Sequence, residues 1–217
     1  MAPVLGYWNI HGRAQPIRLM LAYTGTDYED KRYTSASDWS NDKHTLGLDF
    51  PNLPYYLDDD DGVKLTQSVT IMRFIGRINN LDGQSPEERV RIALVEQQLV
   101  DYIAALTKLC YDPEFANLKD NYIGNQLAQQ LQLLDKFLGN DRPFLAGDNM
   151  SYVDFIAFNY IDKVSKLAGN SVIDEYDNLK NYFARILEFP SIENYRENEP
   201  KVPFLGRSAQ WGNTVDI

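Results

Sequence analysis

The chain has 217 residues, 44% hydrophobic and 24% charged, with a net charge of −10 and a pI near 4.7. Such acidity repels a phosphate backbone and argues against nucleic-acid binding. One cysteine, Cys110, and two histidines, His11 and His44, exclude an intramolecular disulfide framework and a CxxC redox pair, and argue against a metal site. No run approaches the ~18 apolar residues that cross a bilayer, and Met1-Ala2-Pro3-Val4 lacks a basic-then-apolar leader. The expectation is a cytoplasmic protein with no membrane partner.

Val4 to Trp8 reads as a short buried strand. Gly12 breaks it, Pro16 suits a first helical turn, and Ile17, Met20 and Leu21 follow at helical spacing until Gly25. Tyr28 to Tyr33 alternates aromatic and charged residues as a half-exposed strand does. Ser35 to Thr45 reads as polar and irregular, with Trp39 and Lys43 one helical turn apart. Tyr55-Tyr56-Leu57 and Val63-Lys64-Leu65 pair as a hairpin around an Asp-Gly turn. The carboxylates Asp58 to Asp61 lack the regular ligand spacing of a calcium loop and read as a solvated turn closed by Gly62. Val69 to Ile78 carries Ile71, Phe74, Ile75 and Ile78 on one helical face.

Residues 79–86 are polar and rich in chain breakers, the best linker in the sequence. Beyond them the period is helical throughout. A helix of about 24 residues, on the order of 36 Å, shows Ile92, Val95, Leu99, Ile103, Leu106 and Cys110 on one face. Asp112-Pro113 ends it. A second helix runs through Leu127, Leu131, Leu134 and Leu138 to Gly139. Ser151-Tyr152-Val153-Asp154 is a capping box with Met150 and Phe155 as its staple, so Asp154 reads as a cap costing about 1 kcal/mol to remove. Helices follow near Val153–Leu167 and Leu179–Leu187, with a short one after Pro190 and a loop tail from Lys201. The order implies an α/β N-terminal thioredoxin-like domain over residues 1–82, without thioredoxin's cysteine pair, followed by an all-α C-terminal domain over residues 83–217.

One stretch has the makings of a ligand site. Leu53, held extended before Pro54, presents its backbone sideways, and Gln67-Ser68 places an amide, a hydroxyl and free N–H groups at a helix start. A strand-like backbone beside a helix N-terminus suits a small peptide-like carboxylate.

The stretches Leu5-Gly6-Tyr7-Trp8-Asn9-Ile10, Gly47 to Tyr55, Thr66-Gln67-Ser68, Cys110-Tyr111-Asp112-Pro113-Glu114-Phe115 and Tyr152-Val153-Asp154-Phe155 together resemble the cytosolic glutathione transferases of the mu class, along the full length. The resemblance implies conjugation of glutathione thiolate to hydrophobic electrophiles such as aryl halides, enones and epoxides. Glutathione is a cosubstrate, and no metal or other cofactor is implied. A free thiol is only about 3% ionised at pH 7, and lowering its pKa by about two units takes roughly 2.7 kcal/mol. An aimed hydroxyl donor in a sheltered site supplies much of that. By pattern alone Tyr7 reads first as a core aromatic beside Trp8; the resemblance reverses this, because Tyr7 matches the family's catalytic tyrosine.

For the tripeptide, the resemblance implies that Leu53 pairs with the cysteinyl unit across a cis bond to Pro54. Gln67 and Ser68 would hold the γ-glutamyl carboxylate, and Trp8, Trp39, Lys43 and Asn52 the glycyl end. Asp101 matches an acid that reaches the ligand's ammonium from the neighbouring subunit of a homodimer. Ile10, Ala104, Tyr111 and Leu205 match the apolar hollow for the second substrate. Phe50 matches an aromatic that plugs a pocket on the partner, and Arg73 a charge near the two-fold axis.

Three departures stand out. The segment between Thr34 and Trp39 is shorter than in mammalian mu-class chains and lacks an arginine they carry, as in some invertebrate members. Arg13 replaces a usually apolar residue, and Ala104 a bulkier one. A non-catalytic, ligandin-like dimer of the same fold, sequestering apolar compounds, is the alternative reading. A scaffold dimer is a third, needing neither Tyr7 nor the glutathione contacts.

Overall fold

The computed structural model describes residues 1–215. Its first layer is a four-stranded sheet of β1 (Val4–Trp8), β2 (Glu29–Tyr33), β3 (Tyr55–Asp58) and β4 (Val63–Thr66), in the order β2-β1-β3-β4. Helix α1 (Gln15–Thr24) carries the chain over the sheet, so β1 and β2 run parallel, with Tyr7 opposite Arg32 and Trp8 opposite Tyr33. β3 runs antiparallel to both β1 and β4. Pro16 sits in the first turn of α1, where its missing N–H costs nothing, and Ile17, Leu19, Met20 and Leu21 are buried.

The segment expected to be irregular is a helix, α2 (Ala36–Asp42). Ser35 caps it by accepting the Asp38 N–H at 3.1 Å. Seven residues with no apolar stripe leave no periodic signal in the sequence. Tertiary contacts hold it instead. Trp39 stacks on Tyr55 with ring centroids 6.1 Å apart, and Asp42 accepts from the Tyr33 hydroxyl and pairs with Lys31, each at 2.7 Å. Helix α3 (Ser68–Ile78) then packs Ile71 and Ile75 into the core.

The helical part begins with α4 (Pro86–Cys110), 25 residues long and close to the expected length. Ser85 accepts the Glu88 N–H at 3.1 Å while the Glu88 carboxylate accepts the Ser85 N–H at 3.3 Å, a capping box not singled out in the linker's sequence. α5 (Phe115–Asn121) and α6 (Ala128–Leu138) are joined by a wider π turn at Tyr122–Leu127. Gly124, a weak helix former, lies inside it. Leu127, Leu131, Leu134 and Leu138 are buried as the spacing predicts.

α7 (Tyr152–Ala168) is buried along nearly its whole length and packs on both α1 and α4, so its apolar character runs around the cylinder. α8 (Asp177–Leu187) and α9 (Pro190–Asn198) complete the helices. The tail then returns to the first unit. The His11 N–H donates to the Pro203 carbonyl at 2.8 Å and the Gly12 N–H to the Phe204 carbonyl at 2.9 Å, while the Gln210 N–H reaches the Cys110 carbonyl at 2.7 Å. The architecture is the expected one, an α/β unit with a four-stranded sheet followed by helices. Among the described residues no helix is long and apolar enough to cross a membrane.

Candidate active site

Tyr7 lies on the inner strand β1, is 7% exposed, and lines a groove of about 650 Å³. The oxygen accepts the Arg13 N–H at 3.2 Å. A phenol that accepts on its oxygen keeps its own proton to donate elsewhere. Burial pushes the phenol above its ordinary pKa, against the pull of the Arg13 N–H and of the Arg13 and Arg18 charges. At neutral pH Tyr7 is therefore a protonated donor and not a base. Gly12 makes this fit possible: it sits at φ +46°, and a Cβ there would lie 2.5 Å from the Tyr7 ring and 2.6 Å from its hydroxyl oxygen.

The loop carrying Gly12 and Arg13 is held from several sides. The tail hydrogen bonds pin His11 and Gly12, and the buried Arg18 donates to the Ile10 carbonyl at 2.9 Å. Lys163, from α7, donates to the Gly12 carbonyl at 3.0 Å. His11 is half-buried between Glu199 and the ring of Phe204. Burial, with the nearby charges of Lys163 and Arg18, drives its pKa down to about 3, so the imidazole is neutral.

Trp8, Ile10, Tyr111 and Leu205 line the same groove as Tyr7. Tyr111 repeats the arrangement of Tyr7: its hydroxyl oxygen accepts the Gly206 N–H at 3.0 Å, leaving the proton free. Two tyrosines whose hydroxyl oxygens accept backbone N–H groups thus line one open space. The apolar walls around them suit a hydrophobic molecule.

The ligand-like stretch lies beside β3. Leu53 is buried, its N–H is taken by the Asn52 side-chain oxygen at 2.9 Å, and its bond to Pro54 is cis. Gln67 adopts φ +71°, a strained conformation for a non-glycine residue, and its side chain makes no cap. The first N–H groups of α3, beginning with Ser68, are therefore free for an anion. Trp39 and Lys43 lie at the far side on α2 and its C-cap.

The remaining candidates lie elsewhere. Asp101 is exposed on α4, and Phe50 is 75% exposed on the loop before β3. Arg73 pairs with Glu96, which is fully buried and also accepts the Tyr152 hydroxyl at 2.7 Å. Burial pushes Glu96 up, but the hydrogen bonds from Arg73, Tyr152 and Gln97 and the Arg73 charge hold it below its ordinary pKa. Ala104 does not line the groove with Ile10, Tyr111 and Leu205; it lines a separate cavity of about 100 Å³ with Ser68 and Arg13. Lys163 is the functional candidate that the sequence does not reveal, because a lysine on a helix reads as solvated. Its setting within a helix otherwise rich in aromatics was the available signal. Among the described residues no cluster of three or more His, Cys, Asp or Glu side chains is placed to hold a metal.

Comparisons with known proteins agree along the chain. Residues 3–77 match the family described as glutathione S-transferase, N-terminal domain, and residues 99–199 match glutathione S-transferase, C-terminal domain. The chain is 46% identical over 215 residues to a glutathione S-transferase of Tyrophagus putrescentiae, covering 96% of each. It is 41% identical over 222 residues to glutathione S-transferase Mu 7 of Rattus norvegicus, covering 98% of this chain and all of the relative. Among solved structures, the glutathione S-transferase Blo t 8 superposes with a TM-score of 0.89 at 29% identity, covering 96% of this chain and 99% of that one.

Proposed function

The chain belongs to the glutathione S-transferase family, and from that premise we propose that Tyr7 donates its hydroxyl proton to the sulfur of bound glutathione and stabilises the thiolate. The thiolate then attacks an electrophilic carbon held against Trp8, Ile10, Tyr111 and Leu205. The observation that carries this reading is the Tyr7 hydroxyl, which accepts a backbone N–H and so keeps its proton to donate, on a residue that lines a groove of about 650 Å³. In a sheltered site a single charge-assisted hydrogen bond of this kind supplies much of the roughly 2.7 kcal/mol that a two-unit drop in thiol pKa requires.

The tripeptide would lie along Leu53, its γ-glutamyl carboxylate at Gln67 and Ser68 on the open end of α3, and its glycyl carboxylate near Lys43, Asn52, Trp8 and Trp39. Residues 1–82 form the glutathione-binding domain in this reading, and residues 83–217 supply the second-substrate wall. The active species is a cytoplasmic homodimer in which Phe50 plugs the partner, Arg73 lies near the two-fold axis, and Asp101 reaches across to the ligand's ammonium. Detoxification of electrophiles is the role such a reaction serves. A chromogenic aryl-halide assay tests the proposal: the unmodified protein conjugates glutathione, and Tyr7→Phe loses activity near neutral pH. Full activity in Tyr7→Phe would remove Tyr7 from the mechanism. Glutathione binding without turnover in the unmodified protein would favour the ligandin-like alternative.

A further inference from the structure

The peptide bond between Gly12 and Arg13 is engaged at both ends. Its N–H, that of Arg13, donates to the Tyr7 hydroxyl oxygen at 3.2 Å, and its carbonyl, that of Gly12, accepts from the Lys163 ammonium at 3.0 Å. Both groups belong to one planar amide, and in a trans amide they point in opposite directions. Ammonium, carbonyl, N–H and phenol oxygen therefore form one hydrogen-bonded chain, with Lys163 at one end and Tyr7 at the other. The amide has little freedom to turn out of it. The Gly12 N–H is held by the Phe204 carbonyl at 2.9 Å, and Gly12 lies against the Tyr7 ring.

The far end of this chain carries a charge. Lys163 is buried on α7, and the carboxylate next to it in sequence, Asp162, pairs with Arg196 at 3.3 Å. Burial lowers the lysine's pKa, Asp162 and Cys110 oppose the fall, and Arg13 adds to it; the result, about 8, leaves the ammonium mostly charged at neutral pH. His11, on the same loop, is neutral and brings no competing charge. An ammonium on a carbonyl makes a charge-assisted hydrogen bond, and inside a protein each bond of a chain polarises the next. Electron density drawn towards the Gly12 oxygen makes the Arg13 N–H a stronger donor. The phenol oxygen that receives this N–H then releases more of its own proton to whatever it faces. Desolvating an ammonium is costly, and a neutral donor would satisfy the Gly12 carbonyl without that cost.

We propose that Lys163 is a positioning residue for the conjugation: its charge, passed through the Gly12–Arg13 amide, strengthens the Tyr7 hydroxyl as a donor to the glutathione sulfur and so favours the bound thiolate. The inference rests on the Tyr7 reading above and extends it to a residue of the helical unit that acts only through the backbone of the other. No proton moves along the chain. The ammonium and the phenol keep theirs, and the thiol proton leaves to solvent.

The test is the pKa of the glutathione thiol, read from thiolate absorbance at saturating glutathione, in the unmodified protein, Lys163→Met, Tyr7→Phe and the double variant. Lys163→Met should raise it by about half a unit or more, which is about threefold less thiolate at a pH below both values. In the Tyr7→Phe background the same substitution should leave it nearly where it was, because the chain then ends without a hydroxyl. Equal shifts in both backgrounds overturn the inference, since the charge would then act on the sulfur through space. Lys163→Gln offers a donor without the charge and should shift the thiol in the same direction as Lys163→Met. A thiol at the unmodified value in Lys163→Gln overturns the role of the charge, and this variant decides the matter alone if Lys163→Met folds poorly. Weaker glutathione binding with the thiol pKa unmoved also overturns it, because Lys163 would then be a structural prop. If Tyr7→Phe by itself leaves the thiol unchanged, the Tyr7 reading fails first and this inference with it; a Tyr7 effect with no Lys163 effect refutes the inference only.

Discussion

Replacing Asp154 with alanine should destabilise the protein far more than the loss of a surface helix cap. The carboxylate is fully buried and accepts four donors: the Leu145 N–H at 3.0 Å, the Ser151 N–H at 2.7 Å, the Ser151 hydroxyl at 2.6 Å and the Tyr182 hydroxyl at 3.0 Å. Two of these have alternatives, since the Ser151 hydroxyl can rotate and the Tyr182 hydroxyl already lies 3.2 Å from the Asp154 carbonyl. The two backbone N–H groups do not. Leaving each unpaired in the interior costs about 1–3 kcal/mol, so Asp154→Ala should lose about 4 kcal/mol, against about 1 for an exposed cap. Asp154→Asn keeps one acceptor and should lose about half as much. Urea unfolding at fixed protein concentration measures this, because an oligomer's midpoint moves with concentration. A loss of about 1 kcal/mol or less would show that the links to Leu145 and Tyr182 contribute nothing. Unchanged stability with lost conjugation would make the carboxylate a participant in the reaction.

Tyr111→Phe should slow conjugation of epoxides and enones several-fold while leaving glutathione affinity alone; steady-state kinetics over a panel of electrophiles checks it, and a uniform loss would count against a donor role. Phe50→Ser should shift sedimentation from dimer towards monomer, and an unchanged dimer would reject the anchor. Lys163 gives a pH prediction. Its folded pKa of about 8 lies below the ordinary 10.5, so between those values the unfolded chain binds more protons and stability rises with pH. Relative to Lys163→Met, whose tyrosines titrate alike, the gain across that window should approach about 3 kcal/mol. A flat difference would mean that the ammonium is hydrated in the folded protein.

The fold was legible wherever a pattern repeats or a breaker interrupts it. The β1 strand, the hairpin at Asp58–Gly62 and the long helices all rest on local spacing that packing then respects. α2 was not legible, since what stabilises it is Trp39 on Tyr55 and Asp42 on Lys31, contacts between segments far apart in sequence. Asp154 was legible as a cap but not as a tertiary hub, because Leu145 and Tyr182 reach it only once α7 and α8 have packed. At the site, residue type and resemblance picked out Tyr7 and Tyr111. The Arg13 and Gly206 N–H groups that turn both phenols into donors depend on the tail folding back over the loop at His11. Lys163 escaped for the same reason: its burial belongs to the junction of two units.

The most direct test follows the ultraviolet absorbance of the thiolate in the binary complex with glutathione as pH is raised. Our account predicts that the bound thiol titrates near pH 6.5, about two units below a free thiol, and that Tyr7→Phe returns it to about 8.5 with glutathione still bound. A bound thiol that titrates at the same pH with and without the Tyr7 hydroxyl would contradict it.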